Sequence, residues 1–388
     1  MKGTVHITAN NEYDPKKVND SIGEHLSRYD KFSDIAGKKV LLKINLLSAI
    51  TPERASTTHP VVVRSVVEEL QKGGASVMIA DSPGGLFNRT MLKRAYDVSG
   101  MTKVAEDTGA ELNFDTGSHV EKFQAGQFLK SFNVCDYLRG ADLIIALPKI
   151  KTHMFCGLTC ASKIMFGVVP GTEKVKYHTR FPDTMDFSRM LFDLTELSGV
   201  DLFLVDGIIG MEGRGPSQGN PRDVGVLISG TDPYLIDLHV TRLTGLDPKK
   251  LPIMRSMEEQ KRITFDQSVP LSGNGMDIRV DGPFEPARGG SIATQPPWFL
   301  RRIAVSLSTN KPKISRRRCV GCGVCRDNCA GGAIRIVHGK AKISYSKCIR
   351  CYCCHELCPH GAVYLTIRES GLMDLIGDIS FRYFTRPR

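Results

Sequence analysis

The sequence predicts an α/β protein in two parts: a large domain on a mostly parallel sheet with helices on both faces, then a small cysteine-rich α+β domain. Three observations carry this expectation. Upstream of residue 300, short continuous runs of Val, Ile and Leu alternate with helical periods, the pattern of strands buried on both faces and joined by crossover helices. Nine of the twelve cysteines crowd between residues 319 and 358. The basic excess falls there too, since residues 301–388 hold 17 Lys and Arg against 5 Asp and Glu, and the first 300 hold 35 against 36.

The first strand is read in VLLKINLL (40–47), and a helix follows in TTHPVVVRSVVEELQKGG. That helix has Thr58 or His59 in the cap region, Pro60 in the first turn, an apolar stripe through Val63, Val66, Val67 and Leu70, and Gly73 and Gly74 as its stop. Further strands are read in SVMIADSPGG (76–85), ADLIIALPKIKTH (141–153), DLFLVDGIIG (201–210) and DVGVLISG (223–230). PDTMDFSRMLFDLTELSG and DPYLIDLHVTRLTG supply two more helices. The expected boundaries are an α/β domain over 1–300, a linker over 301–312, the cysteine-rich domain over 313–368 and an amphipathic basic tail over 369–388.

Ligands of open parallel sheets bind beyond the carboxyl ends of the strands, so the residues after each apolar run are the candidate site. They are Lys43, Asn45, Thr57, Thr58 and His59 after the first run, and Asp81, Ser82, Gly84 and Gly85 after the second. Lys149, Lys151 and His153 end the third; Asp206 and the loop GMEGRGPSQG, with Glu212 and Arg214, end the fourth. The loop KIMFGVVPGTEKVKYH adds Lys163, Lys174 and His178, with backbone at Val168 and Gly171 open to a ligand. Lysines and histidines converging with glycine-rich backbone suit a phosphate or carboxylate. GIIGMEGRG lacks the GxGxxG spacing of a dinucleotide loop, and no Walker A, HExxH or GxSxG pattern occurs.

The clustered cysteines form two units, CVGCGVCRDNCAGGAI and CIRCYCCHELCPHGAV, an internal repeat offset by 29 residues. Each reads CxxCxxCxxxC, in which three thiolates wrap one face of a cubane and the fourth ligand comes from elsewhere. This is the pattern of bacterial dicluster ferredoxins. It implies that Cys319, Cys322, Cys325 and Cys358 hold one 4Fe-4S cluster and Cys348, Cys351, Cys354 and Cys329 the other. Cys353 stands opposite Val324 in the repeat and is expected to be a non-ligand beside the cluster. Cys135, Cys156 and Cys160 read as structural thiols. The Arg and Lys nearby offset cluster charge, with docking of an acidic electron carrier as their second use.

LPKIKTHMFCGLTCASKIMFGVVPG, DLFLVDGIIGMEGRGPSQGNP and SGTDPYLIDLHVTRLTGLDP resemble successive signature blocks of the domain of unknown function 362 family, in the form with a C-terminal dicluster ferredoxin domain. VLLKINLL followed by TTHPVVVRSVVEEL resembles the family's N-terminal block. The resemblance implies an iron-sulfur protein of bacteria and archaea, often anaerobes. It places Lys43, Lys151, His153, Lys163, Asp206 and Asp232 at motif positions and leaves Cys156 and Cys160 outside them.

The leading expectation is an iron-sulfur oxidoreductase in which the two clusters relay electrons between a redox protein, such as a ferredoxin or flavodoxin, and an anionic small molecule or flavin in the α/β domain. Lys151 and His153 are its candidate proton donors, Asp206 orients them, and Lys43 and Lys163 hold the anion. The alternatives are a non-catalytic electron-transfer subunit and a metal-handling or maturation factor using Asp81, His59, His153 and Asp206. No nucleic-acid partner is expected. With no apolar leader and no run of eighteen apolar residues, the reading is cytoplasmic, and the tail is expected to pack on the protein rather than on a membrane.

Overall fold

A computed structural model describes residues 3–181, 183–287 and 311–366. The expected tail over 369–388 and nearly all of the expected linker lie outside the described residues. The large sheet runs in the order β12 (Leu271–Ser272), β1 (Val5–Ala9), β11 (Asn220–Gly230), β10 (Leu202–Glu212), β7 (Leu143–Leu147), β2 (Lys39–Ile44), β3 (Ser76–Ala80) and β4 (Glu111–Leu112). β10, β7, β2, β3 and β4 are parallel neighbours.

Two strands depart from the simple βα reading. β11 returns antiparallel to β10 and also pairs antiparallel with β1, so DVGVLISG is the second arm of a hairpin. The run ADLIIALPKIKTH is two strands, because Pro148 has no N–H for the ladder and breaks it. After that break β8 (Lys149–His153) continues beside the far part of β10 and pairs antiparallel with β9 (Gly157–Thr159).

Alternation along the strands feeds two cores. Leu202, Leu204 and Ile208 of β10 face one side with Leu143, Ile145 and Leu147 of β7, under α1 (Pro15–Ser27), α2 (Pro60–Lys72), α3 (Arg89–Ser99) and α4 (Met101–Thr108). Phe203 and Val205 face the other side with Val224, Val226 and Ile228 of β11. That face is covered by α5 (Ala161–Ile164), α6 (Gly171–Arg180), α7 (Thr184–Leu197), α8 (Pro233–Leu243) and α9 (Pro252–Glu259). Helix α2 starts where the sequence places it: His59 Nδ1 accepts from Val61 N, Pro60 opens the first turn, and Val62, Val63, Val66, Val67 and Leu70 are buried.

The small domain is α+β. β13 (Lys311–Ile314) pairs with β16 (Val363–Thr366), β14 (Ile334–Val337) pairs with β15 (Lys340–Ile343), and two one-turn helices span Val324–Asp327 and Cys353–Glu356.

Two buried ion pairs hold the strand ends of the large sheet. Lys43 lies 2.9 Å from Asp81, whose carboxylate also accepts from Leu46 N and Ser82 N. Lys149 lies 2.9 Å from Asp206, which also accepts from Tyr13 Oη at 2.9 Å and His59 N at 2.8 Å. Asp206 thereby ties β10, β8 and the start of α2 to the N-terminal segment. Removing its charge strands a buried ammonium, which costs about 3–5 kcal/mol. Asp206→Asn is therefore expected to lower unfolding stability by about that amount in chemical denaturation, with the anion affinity of the folded fraction retained. A stable Asp206→Asn protein with lost anion binding would show instead that the carboxylate acts in the site.

Candidate functional site

The carboxyl ends of the strands enclose a cavity of about 80 Å³. β2 runs into it through Asn45, Leu46 and Leu47, and β3 through Asp81, Ser82, Gly84 and Gly85. In β8 the KIKTH alternation sends Lys149, Lys151 and His153 to one side and Ile150 and Thr152 to the other. Lys151 and His153 line the cavity, whereas Ile150 joins the core and Thr152 Oγ1 donates to Gly213 O at 3.0 Å. β9 sets Thr159 opposite Lys151, α5 brings Lys163, and Lys174 and His178 enter from one face of α6, four residues apart.

The remaining wall comes from the small domain. Cys353, Glu356 and Leu357 line the cavity, and Gln218 Nε2 donates to His355 O at 2.6 Å to fix that helix. The turn Gly84–Gly85 receives it. A Cβ on Gly84 would stand 2.9 Å from Leu357 Cδ2, and one on Gly85, at φ +96°, 2.8 Å from Asn328 Oδ1. Gly167 and Gly171 are needed for similar close approach: a Cβ on the first would strike the Lys43–Asp81 pair, and on the second the carbonyl of Pro83. Val168 is core.

Burial dominates the electrostatics. Lys151 donates to Asn45 Oδ1 at 2.6 Å and to Ser56 O; desolvation first, then the nearby charge of Lys163, brings its pKa down to about 7. Lys174 donates to Ser82 O and is lowered to about 8, mainly by desolvation. Glu356 is raised to about 7 by desolvation, which Lys163 and Lys151 partly offset. His153 Nδ1 accepts from Phe155 N at 3.0 Å, so the proton sits on Nε2, which faces Glu356 Oε1 at 3.6 Å. Desolvation holds its pKa well below the ordinary value, and His153 is therefore neutral at pH 7.

His178, lowered to about 3 chiefly by desolvation, stacks on Phe187 with ring centroids 4.5 Å apart. Its Nδ1 and Thr159 Oγ1 are buried without hydrogen-bond partners in this cavity, the condition of polar groups awaiting a ligand.

The sequence-predicted residues thus separate. Lys151, His153 and Lys163 meet at the cavity, and Lys174, His178 and Asp81 join them. Lys43 and Asp206 do not line it, being held in the ion pairs beneath. Glu212 pairs with Arg222 instead. Sequence reasoning missed Glu356, Leu357 and Thr159. Glu356 and Leu357 sit inside a cysteine motif, where spacing says nothing about which non-ligand side chains point to another domain. Among the described residues no group of three or more His, Cys, Asp or Glu converges on a single metal ion, so Asp81, His59, His153 and Asp206 form no such site. Eighty Å³ of water-accessible space is several times the ~10–15 Å³ that one water needs, room for a few waters or a small organic anion. Pockets that bury large ligands span about 300–1,000 Å³, so the cavity lends a flavin no support.

In the small domain, Cys319, Cys322, Cys325 and Cys358 line one small cavity, and Cys329, Cys348, Cys351 and Cys354 line another. Backbone N–H groups of Ala333, Ala341 and Ala362 donate to the sulfurs of Cys329, Cys319 and Cys358 at 3.2–3.3 Å. Four thiols around each cavity, with amides aimed at sulfur, fit a 4Fe-4S cluster in each. Cys353 lines neither; it faces the α/β cavity, its thiol 3.8 Å from Cys351 O. Cys135 and Cys156 are buried thiols pushed up to about 12 by desolvation.

Residues 40–242, more than half of the chain, match the family described as Domain of unknown function (DUF362), and residues 311–359 match a 4Fe-4S dicluster domain. A thylakoid-associated protein of Synechocystis sp. is 32% identical over 230 residues, which cover 57% of this chain and 68% of that one. The lactate racemase apoprotein of Thermoanaerobacterium thermosaccharolyticum aligns with a TM-score of 0.39 and 13% identity over 64% of this chain and 58% of that one. A Thermotoga maritima protein aligns at 0.33 and 10% over 52% of each. No helix among the described residues is long and apolar enough to cross a membrane.

The two cysteine cavities predict iron content. Anaerobically purified Cys353→Ser should keep the wild type's iron, about eight per chain for two cubanes, whereas Cys351→Ser should lose one of the two cluster signals by electron paramagnetic resonance. Loss of a cluster from Cys353→Ser would mean that the fifth cysteine is a ligand.

Proposed function

The chain belongs to the DUF362 family and carries a 4Fe-4S dicluster domain, and we propose that it is an iron-sulfur oxidoreductase acting on a small anion in the lysine-lined cavity. One observation carries this reading. The helix Cys353–Glu356, set among Cys351, Cys354 and Cys358 of the cluster motifs, is itself a wall of that cavity. A domain that only relayed electrons between proteins would gain nothing from buried amines at this position.

Held by the two sets of cysteines, the clusters supply single electrons drawn from an external redox protein. The other functions fall to this chain's side chains. Lys163 and Lys174 hold the anionic group, and desolvation strengthens that attraction relative to water. His153 donates its Nε2–H to a ligand oxygen, and its ring is oriented by Phe155 N. Thr159 Oγ1 and His178 Nδ1 gain the partners they lack. Lys151, with its pKa near 7, gives and regains a proton where charge develops on the ligand. Leu46, Leu47, Phe166 and Leu357 supply the apolar part of the lining.

The decisive experiment uses anaerobically prepared protein with both clusters present. Dithionite-reduced samples are titrated with phosphate and with small mono-, di- and oxo-carboxylates. At least one anion should bind, alter one of the two paramagnetic signals and be reduced. If none binds at millimolar concentration or changes either signal, the proposal fails.

The same site predicts a pH dependence. Lys151 carries its charge below pH 7 and loses it above, so anion affinity should be present at low pH and fall as pH rises. Lys163, Lys149, Asp81 and Glu356 are the charged groups acting on it. Because ionisation of Glu356 acts in the same direction, the titration is run in a Glu356→Gln background. There malonate should bind about tenfold more weakly at pH 8.5 than at pH 6 by calorimetry, and Lys151→Met should remove the part of that slope centred near pH 7 while leaving the part near pH 8 that belongs to Lys174. An unchanged slope in Lys151→Met assigns the titration elsewhere.

A further inference from the structure

The small domain has a second concave surface, away from the cavity residues, that the proposed function leaves unused. A groove of about 550 Å³ lies between its two strand pairs. Lys313, Arg316, His338, Lys340 and Lys342 line it, together with Tyr345 and Tyr364, and among the described residues no carboxylate does. The only Asp and Glu between residues 311 and 366 are Asp327 and Glu356. Asp327 is paired to its neighbour Arg326 at 2.7 Å, and Glu356 is committed to the α/β cavity. Exposed apolar side chains lie among the basic ones, Val337 and Tyr345 at 40% and 44% exposure.

The groove also touches one cluster site. Ile314 and Ala341 line both the groove and the cavity of Cys319, Cys322, Cys325 and Cys358. Lys340 Nζ donates to Cys319 O at 2.5 Å, Ala341 N donates to Cys319 Sγ at 3.3 Å, and Cys322 is exposed. The other set, Cys329, Cys348, Cys351 and Cys354, shares its cavity with Tyr352, the residue next to Cys353 in the wall of the anion site.

We propose that this groove is the docking surface for an acidic one-electron carrier protein of the ferredoxin or flavodoxin kind, and that electrons enter at the Cys319 set and leave at the Cys348 set. Positive side chains ringing a partly apolar centre are the complement of an acidic carrier's rim, and such charge pairs govern encounter rate and orientation. Each transfer oxidises the carrier by one electron and reduces the cluster by one, with no proton required. The inference rests on the external carrier of the function above and not on the identity of its anion.

The test uses the full chain with both clusters and an oxidised acidic [2Fe-2S] ferredoxin as the probe, with affinity measured by calorimetry at low and high salt. The wild type should bind at low salt and lose about tenfold in affinity at high salt; Arg316→Glu combined with Lys342→Glu should lose at least about as much at low salt. Arg316→Ala with Lys342→Ala should fall between the two, and charge reversal at Lys249 and Lys250 on the α/β domain should change nothing. Both cluster signals after dithionite reduction must survive in the variants, which separates lost docking from lost folding. An unchanged affinity in the charge-reversed groove overturns the proposal. So does tighter, groove-dependent binding of duplex DNA or phosphatidylglycerol vesicles than of the ferredoxin. Malonate binding is measured on the same samples, so failure of the anion site and failure of the docking site read out separately.

Discussion

Three lysines, Lys43, Lys149 and Lys151, end up buried at one edge of the large sheet with Lys163 and Lys174 half-buried beside them, and the fold is arranged around the cost of dehydrating them. An unpaired ammonium in a protein interior must find a counter-charge or surrender its proton. Both solutions occur here. Lys43 and Lys149 are matched by Asp81 and Asp206 inside the α/β domain, and each carboxylate also collects backbone N–H donors that fix a neighbouring turn. Lys151 and Lys174 have no such carboxylate, and their pKa values fall to about 7 and about 8. The pairs build the floor of the cavity, and the amines left over line it.

That division explains why the small domain sits where it does. The unmatched amines face outward from the strand ends, and the acidic group presented to them from outside the α/β domain is Glu356. Its helix can approach only because Gly84 and Gly85 offer no side chains to Leu357 and Asn328. Docking therefore completes a charge balance and a cavity wall together. It also brings a cysteine motif against the ligand space, which neither domain would achieve alone.

Much of this was legible in the sequence. The strands, the capped helix α2 and the polar residues after each strand follow from hydrophobic periodicity and turn chemistry, which are local properties. Lys151, His153 and Lys163 were found because strand ends are where open α/β sheets bind ligands. What was not legible is pairwise and long-range. Nothing in the sequence says that Asp206 is consumed by Lys149 and Tyr13, that DVGVLISG runs antiparallel, or that His153 is too dehydrated to titrate near neutrality. Burial and partner choice are set by tertiary packing, which local sequence pattern does not encode.

The internal repeat shows how one duplicated motif acquired two uses. At an offset of 29 residues, Val324, Arg326, Asp327 and Asn328 correspond to Cys353, His355, Glu356 and Leu357. Both units keep an acid at the same position, but Asp327 is exposed and spends its charge on the adjacent Arg326, whereas Glu356 is buried among lysines. The neighbouring changes follow. Arg326, exposed in the first unit, becomes His355, which is fully buried, and Val324 becomes the small polarizable Cys353 against the ligand space. The two cysteine sets therefore have asymmetric surroundings: one end meets solvent through Cys322 and a basic groove, and the other meets the lysine-lined cavity. The fifth cysteine of CIRCYCCHELCP belongs to that asymmetry, since Cys353 lines the α/β cavity and neither of the four-cysteine cavities.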